Sequence, residues 1–493
     1  MNYIGISAGF HDAALSVVKD GEILFAGHSE RYSGEKQDKT INGEIVRDAL
    51  QYVEGDFELH YYEKPYLKYF RQLYTGEFTS LSNLNPRTHM TDTAAKLLGK
   101  GKIHTHSHHL SHAASAFQTS KFAEATVVII DAVGEFDTIT IWEAHYDHDH
   151  KAVYKKLYSK KYPNSIGLYY SALTKRVGLK PNEEEYITMG MAAYGNSDLY
   201  SDMHEELLSN SNEIEFYDNL HLGFADKFLE GASNNDIAFS GQLLLEHLVE
   251  NVIGRAKMLN NSNNIAYGGG VALNCVANRL LGKYFDNIWI MPNPGDAGSS
   301  LGAALLGYGK QVEYNSSYLG TDILGPYPVN KVLDSLLKDQ IVGVASGRAE
   351  FGPRALGNRS LLADPSGKDI KDKVNEIKQR HKFRPFAPVI LEEHAHNYFN
   401  IPGGWDNSRY MQVISTCRSP DLFPAIVHVD GTSRVQTVPK DGSGIRELLE
   451  KWYIFTGCPM LLNTSLNIRG EPMVNNRYDA DRFERKYGIK VLS

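Results

Sequence analysis

The stretch that decides the fold is residues 3–26, Tyr-Ile-Gly-Ile-Ser-Ala-Gly-Phe-His-Asp-Ala-Ala-Leu-Ser-Val-Val-Lys-Asp-Gly-Glu-Ile-Leu-Phe-Ala. Two apolar runs flank Asp20-Gly21, and an Asp-Gly pair in that position is a strong signal for a tight hairpin. The stretch therefore predicts a strand, a small polar turn, a second strand, a hairpin and a third strand. A strand that ends in a small-residue turn often binds phosphate through its backbone N–H groups.

The same order returns later in the chain. Residues 125–131, Ala-Thr-Val-Val-Ile-Ile-Asp, predict a buried strand that ends in a carboxylate, and residues 138–144 predict an antiparallel return strand. Two copies of this pattern indicate an internal duplication with a cleft between the halves. We therefore expect an α/β fold for residues 1–315.

Length and composition limit the class of protein. A chain of 493 residues holds about two to four core-sized units, and its 22% charged residues are ordinary for a globular protein. The formal net charge of −8 argues against extensive binding to nucleic acid. Three scattered cysteines do not form a disulfide framework and fit a reducing cytoplasm. Because no leader and no long apolar run is visible, we expect neither export nor a membrane span.

Five histidines lie within residues 102–117, Lys-Ile-His-Thr-His-Ser-His-His-Leu-Ser-His-Ala-Ala-Ser-Ala-Phe. If a helix starts at Ser107, His108 and His112 stand at i and i+4 on one face, the spacing with which two imidazoles share a metal ion. The other interpretation is a solvated histidine loop, with the remaining imidazoles capping or packing against the helix.

Two aspartates favour the metal. Asp131 ends the predicted strand, and Asp296 lies in Pro-Gly-Asp-Ala-Gly at a strand-to-helix turn. Two histidines and two aspartates suit iron, manganese or zinc better than calcium.

Between these aspartates in the sequence, Gly268, Gly269 and Gly270 lead from a predicted strand into a predicted helix with Asn274. That loop suits a nucleotide or another anion, and the alternative is a tight packing turn.

Residues 316–329 are predicted to be a linker, and a second unit is expected at 330–493. Its residues 347–360, Gly-Arg-Ala-Glu-Phe-Gly-Pro-Arg-Ala-Leu-Gly-Asn-Arg-Ser, carry three arginines suited to fork-like binding of phosphate or carboxylate. The alternative is a solvated basic loop. The candidate residues of this second anion site are Arg348, Arg354, Arg359, Lys382, Arg384, Arg434, Asn463, Thr464, Ser465 and Asn467.

Several of these motifs together resemble the O-carbamoyltransferases of antibiotic and nodulation-factor tailoring. They are Gly-Ile-Ser-Ala-Gly-Phe-His-Asp-Ala-Ala at residues 5–14, the histidine helix, the loop 268–274, Glu-Phe-Gly-Pro-Arg-Ala-Leu-Gly-Asn-Arg-Ser at 350–360, Phe-Arg-Pro-Phe-Ala-Pro at 383–388 and Asn-Thr-Ser-Leu-Asn at 463–467. The resemblance covers nearly the whole chain, although the polar tail after Pro472 does not resemble the usual ending.

The resemblance implies a duplicated N-terminal domain of the actin, sugar-kinase and chaperone ATPase (ASKHA) class, related to the metal-bearing enzyme of threonylcarbamoyl-tRNA synthesis. It also implies an α/β C-terminal domain like threonylcarbamoyl-adenylate synthase, in which a Lys-x-Arg and a Ser-x-Asn hold substrate. Lys382-x-Arg384 and Ser465-x-Asn467 match that pattern.

The implied activity is ATP-dependent carbamoyl transfer from carbamoyl phosphate, through carbamoyl-adenylate, to a small-molecule alcohol. His108, His112, Asp131 and Asp296 match the family's metal ligands, with Fe²⁺ expected, and ATP is expected to act with Mg²⁺. His11 matches the histidine that takes the acceptor's proton, and Arg354, Lys382 and Arg384 match residues of adenylate formation. The protein is expected to be cytoplasmic, and a homodimer is compatible with the resemblance.

Two rival functions remain at this point. A metabolite kinase of the same N-terminal fold would explain the duplication but would leave Arg354, Lys382 and Arg384 without a role. A tRNA-modifying enzyme would share the same domains, although the acidic balance argues against it.

Overall fold

The structure is a computed structural model that describes residues 1–76, 79–225, 227–380, 384–405 and 407–493. The chain forms two compact units. Unit 1 comprises Met1–Leu24 and Lys39–Tyr314, and unit 2 comprises Phe25–Asp38 and Asn315–Ser493. Among the described residues, no helix has the length and apolarity needed to cross a membrane.

Unit 1 is built on two five-stranded sheets. The first contains β1 (Asn2–Ser7), β2 (Ala14–Lys19), β3 (Glu22–His28), β4 (Phe57–Tyr61) and β5 (Ile103–Thr105), in the order β3-β2-β1-β4-β5. The strands that follow are β6 (Glu124–Gly134), β7 (Asp137–Tyr146), β8 (Ala152–Lys161), β9 (Leu208–Asn210), β10 (Glu215–Phe216), β11 (Asn264–Gly268) and β12 (Asn287–Ile290). The second sheet has the order β8-β7-β6-β11-β12, and β9 and β10 pair separately.

The two large sheets share one topology. In the first, β1 pairs antiparallel with β2 and parallel with β4. In the second, β6 pairs antiparallel with β7 and parallel with β11. Asp20 and Gly21 have φ values of 52° and 88°, the left-handed conformation that a tight Asp-Gly hairpin needs. The predicted α/β class and internal duplication are confirmed.

The helices up to the end of unit 1 are α1 (Glu30–Ser33), which belongs to unit 2, α2 (Gly43–Leu50), α3 (Pro65–Tyr74), α4 (Asp92–Leu97), α5 (His108–Gln118), α6 (Ile166–Arg176), α7 (Glu185–Ala192), α8 (Tyr200–Leu207), α9 (Asn234–Leu259) and α10 (Asp296–Tyr308). Helices α5 and α10 follow the last strands of the two sheets and pack against each other. Gly302 permits this contact, because a Cβ there would lie 1.8 Å from the carbonyl oxygen of Ser111. The duplication thus brings two equivalent helix starts close together.

Unit 2 contains the strands β13 (Tyr318–Ile323), β14 (Ile341–Ala345), β15 (Gly347–Glu350), β16 (Arg359–Ala363), β17 (Ala387–Leu391), β18 (Phe399–Asn400), β19 (Ser415–Cys417), β20 (Thr432–Ser433), β21 (Gln436–Val438), β22 (Met460–Ser465) and β23 (Val491–Leu492). Its main sheet is mixed, with the order β21-β17-β22-β16-β14-β23. Its later helices are α11 (Val329–Asp339), α12 (Ile370–Ile377), α13 (Ala395–Tyr398), α14 (Gly444–Thr456) and α15 (Arg477–Tyr487).

Three features of unit 2 differ from what the sequence indicates. The segment 316–329, predicted as a linker, contains β13, which pairs with β15. The polar tail forms α15 and then β23, which extends the main sheet parallel to β14. Residues 25–38 join unit 2 through the buried Arg31, which donates hydrogen bonds to the carbonyls of Glu350 and Gly352.

Candidate functional site

The histidine helix starts where the sequence predicts. Ser107 is the N-cap residue of α5, and the helix carries His108 and His112 on one face. Both imidazoles are buried, and their Nε2 atoms lie 3.1 Å apart. Two nitrogen atoms that face each other at this distance share either a proton or a cation.

Two carboxylates complete the cluster. Asp131 lies near the end of β6, where the register with β7 shifts, and Asp296 is the first residue of α10. His108 Nε2 lies 3.1 Å from Asp131 Oδ2 and 3.3 Å from Asp296 Oδ1. His112 Nε2 lies 3.8 Å and 3.3 Å from the same two oxygens. The structure thus brings together all four predicted ligands, with their ligand atoms within 4.8 Å of one another.

A divalent cation fits the centre of this cluster. Tetrahedral ligand atoms about 2.0–2.1 Å from zinc lie about 3.3 Å from each other, close to the distances between these side chains. Burial lowers the pKa of His108, but Asp296 and Asp131 outweigh burial and raise that pKa well above its usual value. The two carboxylates therefore favour a positive charge at this point, whether a proton or a metal ion supplies it.

The glycine loop supports Asp131. The N–H of Gly270 donates to Asp131 Oδ1 at 3.0 Å, which leaves Oδ2 facing the histidines. Gly269 has a φ of 89°, and a Cβ there would lie 2.3 Å from the carbonyl oxygen of Ile130. The predicted helix after these glycines is wrong, because residues 270–273 form a single 3₁₀ turn. The close approach of the loop to β6 is what requires glycine here.

Asn274, which the sequence assigns to nucleotide binding together with Gly268, Gly269 and Gly270, lies in a buried amide pair. Its Nδ2 donates to Gln242 Oε1 at 2.9 Å, and Gln242 Nε2 donates to its Oδ1 at 3.2 Å. The nucleotide role of this loop stays a prediction.

His11 lies in the loop after β1, beside the cluster. Its Nδ1 is 2.9 Å from Asp12 Oδ2, and its Nε2 is 3.9 Å from Asp296 Oδ2. Burial lowers the pKa of His11, but the hydrogen bond with Asp12 and the charge of Asp296 raise it to about 9. The hydrogen bond that His11 Nδ1 donates to Asp12 Oδ2 fixes the ring so that Nε2 faces the carboxylate of Asp296.

The three arginines of the predicted anion loop have different environments in unit 2. Arg348 donates to the carbonyls of Gly320 and Leu319. Arg359 is fully buried, and its guanidinium donates to the carbonyls of Ser346, Gly347, Asn358, Asn475 and Thr321. Those bonds use Arg359 within the fold, so its predicted substrate role rests on the sequence alone. Arg354 is partly exposed.

Lys378 is a residue that the sequence interpretation missed. It follows α12, is buried, and donates from Nζ to Ser465 Oγ at 3.1 Å and to Asn467 Oδ1 at 2.6 Å. Burial and the charges of Arg380 and Arg384 lower its pKa well below the usual value. The available signal was Lys378-Gln-Arg380, which has the same Lys-x-Arg spacing as the match made four residues later. Lys382 itself lies outside the described residues.

The remaining predicted residues lie on or near the main sheet of unit 2. Asn463 Nδ2 donates to the carbonyl of Ala355 at 3.0 Å and to Gln436 Oε1 at 2.7 Å, which ties β22 to the arginine loop. Thr464 follows it and is half-buried. The Nε of Arg434 is buried without a hydrogen-bond partner in the described part of the chain. The carbonyl of Arg384 accepts a bond from Asn375 Nδ2 at 3.1 Å.

Two family models match this chain. The model for the carbamoyltransferase N-terminus matches residues 56–305, and the model for the carbamoyltransferase C-terminus matches residues 333–493. The N-terminal match contains all four residues of the histidine and aspartate cluster, and the C-terminal match contains the arginine loop and Lys378.

The chain is also similar to individual proteins. "Uncharacterized protein sll1178" of Synechocystis sp. is 33% identical over 97% of this chain and 93% of its own length. "Nodulation protein NolNO" of Sinorhizobium fredii is 30% identical over 95% of this chain and 76% of its own. Among solved structures, component A of (R)-2-hydroxyglutaryl-CoA dehydratase from Acidaminococcus fermentans matches 62% of this chain and 97% of its own, with 14% identity and a TM-score of 0.33.

Proposed function

This chain belongs to the carbamoyltransferase family and is therefore a transferase, and we propose that it uses ATP and carbamoyl phosphate to carbamoylate a hydroxyl group of a small molecule. The observation that carries the proposal is the pairing of two chemically different sites in one chain. Unit 1 has a buried acid and histidine cluster. In unit 2 the buried Lys378 lies near the cations Arg380 and Arg384, and no carboxylate among the described residues forms an ion pair with it.

Unit 2 is assigned the first stage, the formation of carbamoyl-adenylate. Carbamoyl phosphate and ATP, bound with Mg²⁺, together carry many negative charges, and Lys378, Arg380, Arg384 and Arg354 supply positive ones. Atom balance requires one water: carbamoyl phosphate gives carbamate and phosphate, and a carbamate oxygen then attacks the α-phosphorus of ATP and displaces pyrophosphate. Ser465 and Asn467 hold the Lys378 ammonium in place for this step.

Unit 1 is assigned the second stage. The acceptor hydroxyl attacks the carbamoyl carbon, AMP leaves, and the neutral form of His11 takes the hydroxyl proton at Nε2, since its Nδ1 is held by Asp12. Because the pKa of His11 is raised to about 9, the neutral form becomes more populated as pH rises toward that value. His108, His112, Asp131 and Asp296 would hold Fe²⁺ or another divalent metal, which when bound supplies Lewis-acid polarisation of the carbamoyl carbonyl or the adenylate phosphate. Gly270 keeps Asp131 oriented toward that position through its N–H.

The helical region from 196 to 260 in unit 1 is where we propose that the acceptor alcohol is recognised. Gln242, on α9 in this region, forms a buried hydrogen-bonded group with Tyr170 and Asn274 from outside it, and Tyr170 Oη donates to Gln242 Oε1 at 2.7 Å. A group of amide and phenol donors suits a polyhydroxylated ligand such as a sugar, a sugar-bearing antibiotic or a nucleoside.

The deciding experiment is incubation of the protein with Fe²⁺, ATP, Mg²⁺, carbamoyl phosphate and a panel of sugars, antibiotics and nucleosides, followed by mass spectrometry. We expect one acceptor to gain a carbamoyl group, with AMP, pyrophosphate and phosphate released in equal amounts. Omission of carbamoyl phosphate should stop pyrophosphate release. Release of ADP without any need for carbamoyl phosphate would show a kinase and refute the proposal.

A further inference from the structure

The far side of His108, away from the four-ligand cluster, faces a second pair of buried charges. His108 Nδ1 is buried and has no hydrogen-bond partner among the described residues. The nearest carboxylate oxygen on that side is Glu63 Oε2, at 3.9 Å. Glu63 and His108 are only 3–4% exposed, so water does not compete freely for either group.

The other histidine shows what this side of the ring requires. An imidazole that presents the lone pair of Nε2 to a cation carries its proton on Nδ1. For His112, Nδ1 lies 3.1 Å from the carbonyl oxygen of Pro294, which can only accept that proton in a hydrogen bond. The corresponding position on His108 is occupied by Glu63. The two ligands therefore have different outer partners, one neutral carbonyl and one carboxylate.

Lys68 fixes the carboxylate without using the oxygen that faces His108. Lys68 Nζ lies 2.8 Å from Glu63 Oε1, whereas Oε2 points to the imidazole. Lys68 is itself largely buried. This ion pair uses one carboxylate oxygen of Glu63 and leaves the other oxygen for the Nδ1 proton of His108.

Glu135 connects the chain segment that carries Glu63 to the start of α5. Its Oε1 accepts from the backbone N–H of Lys64 at 2.7 Å and from the N–H of His108 at 3.3 Å. Gly134 packs against the imidazole of His108, where a Cβ would lie 2.3 Å from ring carbon Cδ2.

The distance of 3.9 Å between His108 Nδ1 and Glu63 Oε2 is too small for a bridging water and exceeds the outer limit of an N–H···O bond by about 0.7 Å.

We propose that Glu63 is a positioning residue for His108, and that the ion pair with Lys68 holds the Glu63 carboxylate in place. The carboxylate accepts the Nδ1 proton, fixes the tautomer, and raises the strength of Nε2 as a ligand. This inference rests on the metal site of the proposed function. It adds Glu63 and Lys68, which are not among the four ligands, to the metal site. It also makes His108, with its carboxylate partner, a stronger metal ligand than His112, whose partner is a neutral carbonyl.

The test measures metal affinity as well as turnover. Purified full-length wild-type, Glu63→Gln, Glu63→Ala and Lys68→Met proteins are loaded with Co²⁺ or Fe²⁺ without oxygen, and the metal is removed by a graded chelator. Outer partners of this kind change metal affinity by about 10–100-fold, so we expect that loss in Glu63→Ala, a smaller loss in Glu63→Gln and an intermediate one in Lys68→Met. The visible spectrum of bound Co²⁺ should shift in the Glu63 variants.

Glu58→Gln is the matched control, because Glu58 lies on the neighbouring strand β4 with its side chain 43% exposed. It should leave metal affinity unchanged, and all variants should retain pyrophosphate release in unit 2. If Glu63→Ala fails to fold, Glu63→Gln, which keeps the side-chain volume, decides the question. Wild-type affinity and an unshifted Co²⁺ spectrum in Glu63→Gln and Glu63→Ala would overturn the inference alone. A wild-type protein that binds neither metal would overturn the metal site of the proposed function and this inference with it.

Discussion

Substitution of Lys378 by methionine tests the chemistry of unit 2 most directly. Lys378 is 3% exposed and donates to neutral oxygens of Ser465 and Asn467. The charges that act on it come from Arg380 and Arg384, and both are positive. A buried ammonium near two other cations is destabilised unless an anion binds to it. An anionic substrate would supply that negative charge.

The magnitude follows from these contacts. Truncating one partner of a desolvated charge pair costs about 2–5 kcal/mol, and a middle value of about 3 kcal/mol is roughly a 150-fold loss in kcat/KM for adenylate formation.

Stability should change little, because the unpaired oxygens of Ser465 and Asn467 cost about 1–3 kcal/mol while removal of the buried charge offsets that cost. Since the pKa of Lys378 is lower in the folded chain than in the unfolded chain, its charge destabilises the folded state most at low pH. Wild type should therefore gain stability relative to the variant as pH rises from neutral toward about 10.

The assay is pyrophosphate release with ATP and carbamoyl phosphate, together with urea unfolding at several pH values. Lys373→Met is the control, because Lys373 lies on α12, the helix that Lys378 follows, but is exposed. It should keep the wild-type rate. A Lys378→Met protein that releases pyrophosphate at the normal rate would show that this lysine only supports the loop of Ser465, and the assignment of the first stage to this part of unit 2 would be wrong.

Three further predictions concern single residues. His108→Ala and His112→Ala should each lose bound metal and carbamoyl transfer while pyrophosphate release continues; elemental analysis checks this, and full metal occupancy in both variants would exclude the cluster as a metal site. His11→Ala should still release AMP and pyrophosphate but carbamoylate no alcohol, and the opposite pattern would reverse the assignment of the two stages. Arg354→Ala should abolish pyrophosphate release with little change in urea midpoint, whereas Arg359→Ala should lose about 3 kcal/mol or more of unfolding free energy, because its buried carbonyl partners lose their donor. Equal behaviour of the two arginine variants would contradict the structural distinction between them.

The sequence predicted those parts of the fold that local patterns determine. The Asp20-Gly21 turn needs two residues with positive φ, and few residue pairs other than Asp-Gly provide them. The local sequence therefore predicts the hairpin without any tertiary information. The same is true of His108 and His112, whose i, i+4 spacing becomes a shared face as soon as the segment is helical. Asp131 and Asp296 were found because both end predicted strands or begin predicted helices, where ligands usually lie in α/β folds.

Features that depend on distant contacts were missed. Residues 25–38 belong to unit 2, where Arg31 donates hydrogen bonds to the carbonyls of Glu350 and Gly352, more than 300 residues later in the sequence. No local sequence pattern predicts a contact over that separation. The glycines 268–270 suggested a nucleotide loop, whereas the visible contact is the N–H of Gly270 on Asp131. Lys378 was overlooked because two Lys-x-Arg pairs lie four residues apart, and the contacts of Lys378 with Ser465 and Asn467 join residues 87 and 89 positions apart in the sequence.

The histidine-rich stretch shows why residue count is a weaker guide than helix phase. Neighbouring residues on a helix point about 100° apart, so His109 cannot share the face of His108, and its Nδ1 lies 2.9 Å from Thr140 Oγ1 instead. Burial and the nearby His108 lower the pKa of His109 to about 3.

The two histidines before the helix belong to a different structure. His104 lies opposite His60 in the parallel pairing of β5 with β4, and His106 Nε2 is 2.9 Å from His60 Nδ1. Burial lowers the pKa of both His60 and His106 to about 4, which keeps them neutral near pH 7. Five histidines within residues 104–112 would suggest a metal-binding tract on composition alone. In the structure, however, His104 and His106 contact His60, His109 lies on another face of α5, and only His108 and His112 face the carboxylates. If His108 is lost, His109 is therefore not placed to replace it, and the proposed metal site depends on the two histidines that α5 aligns.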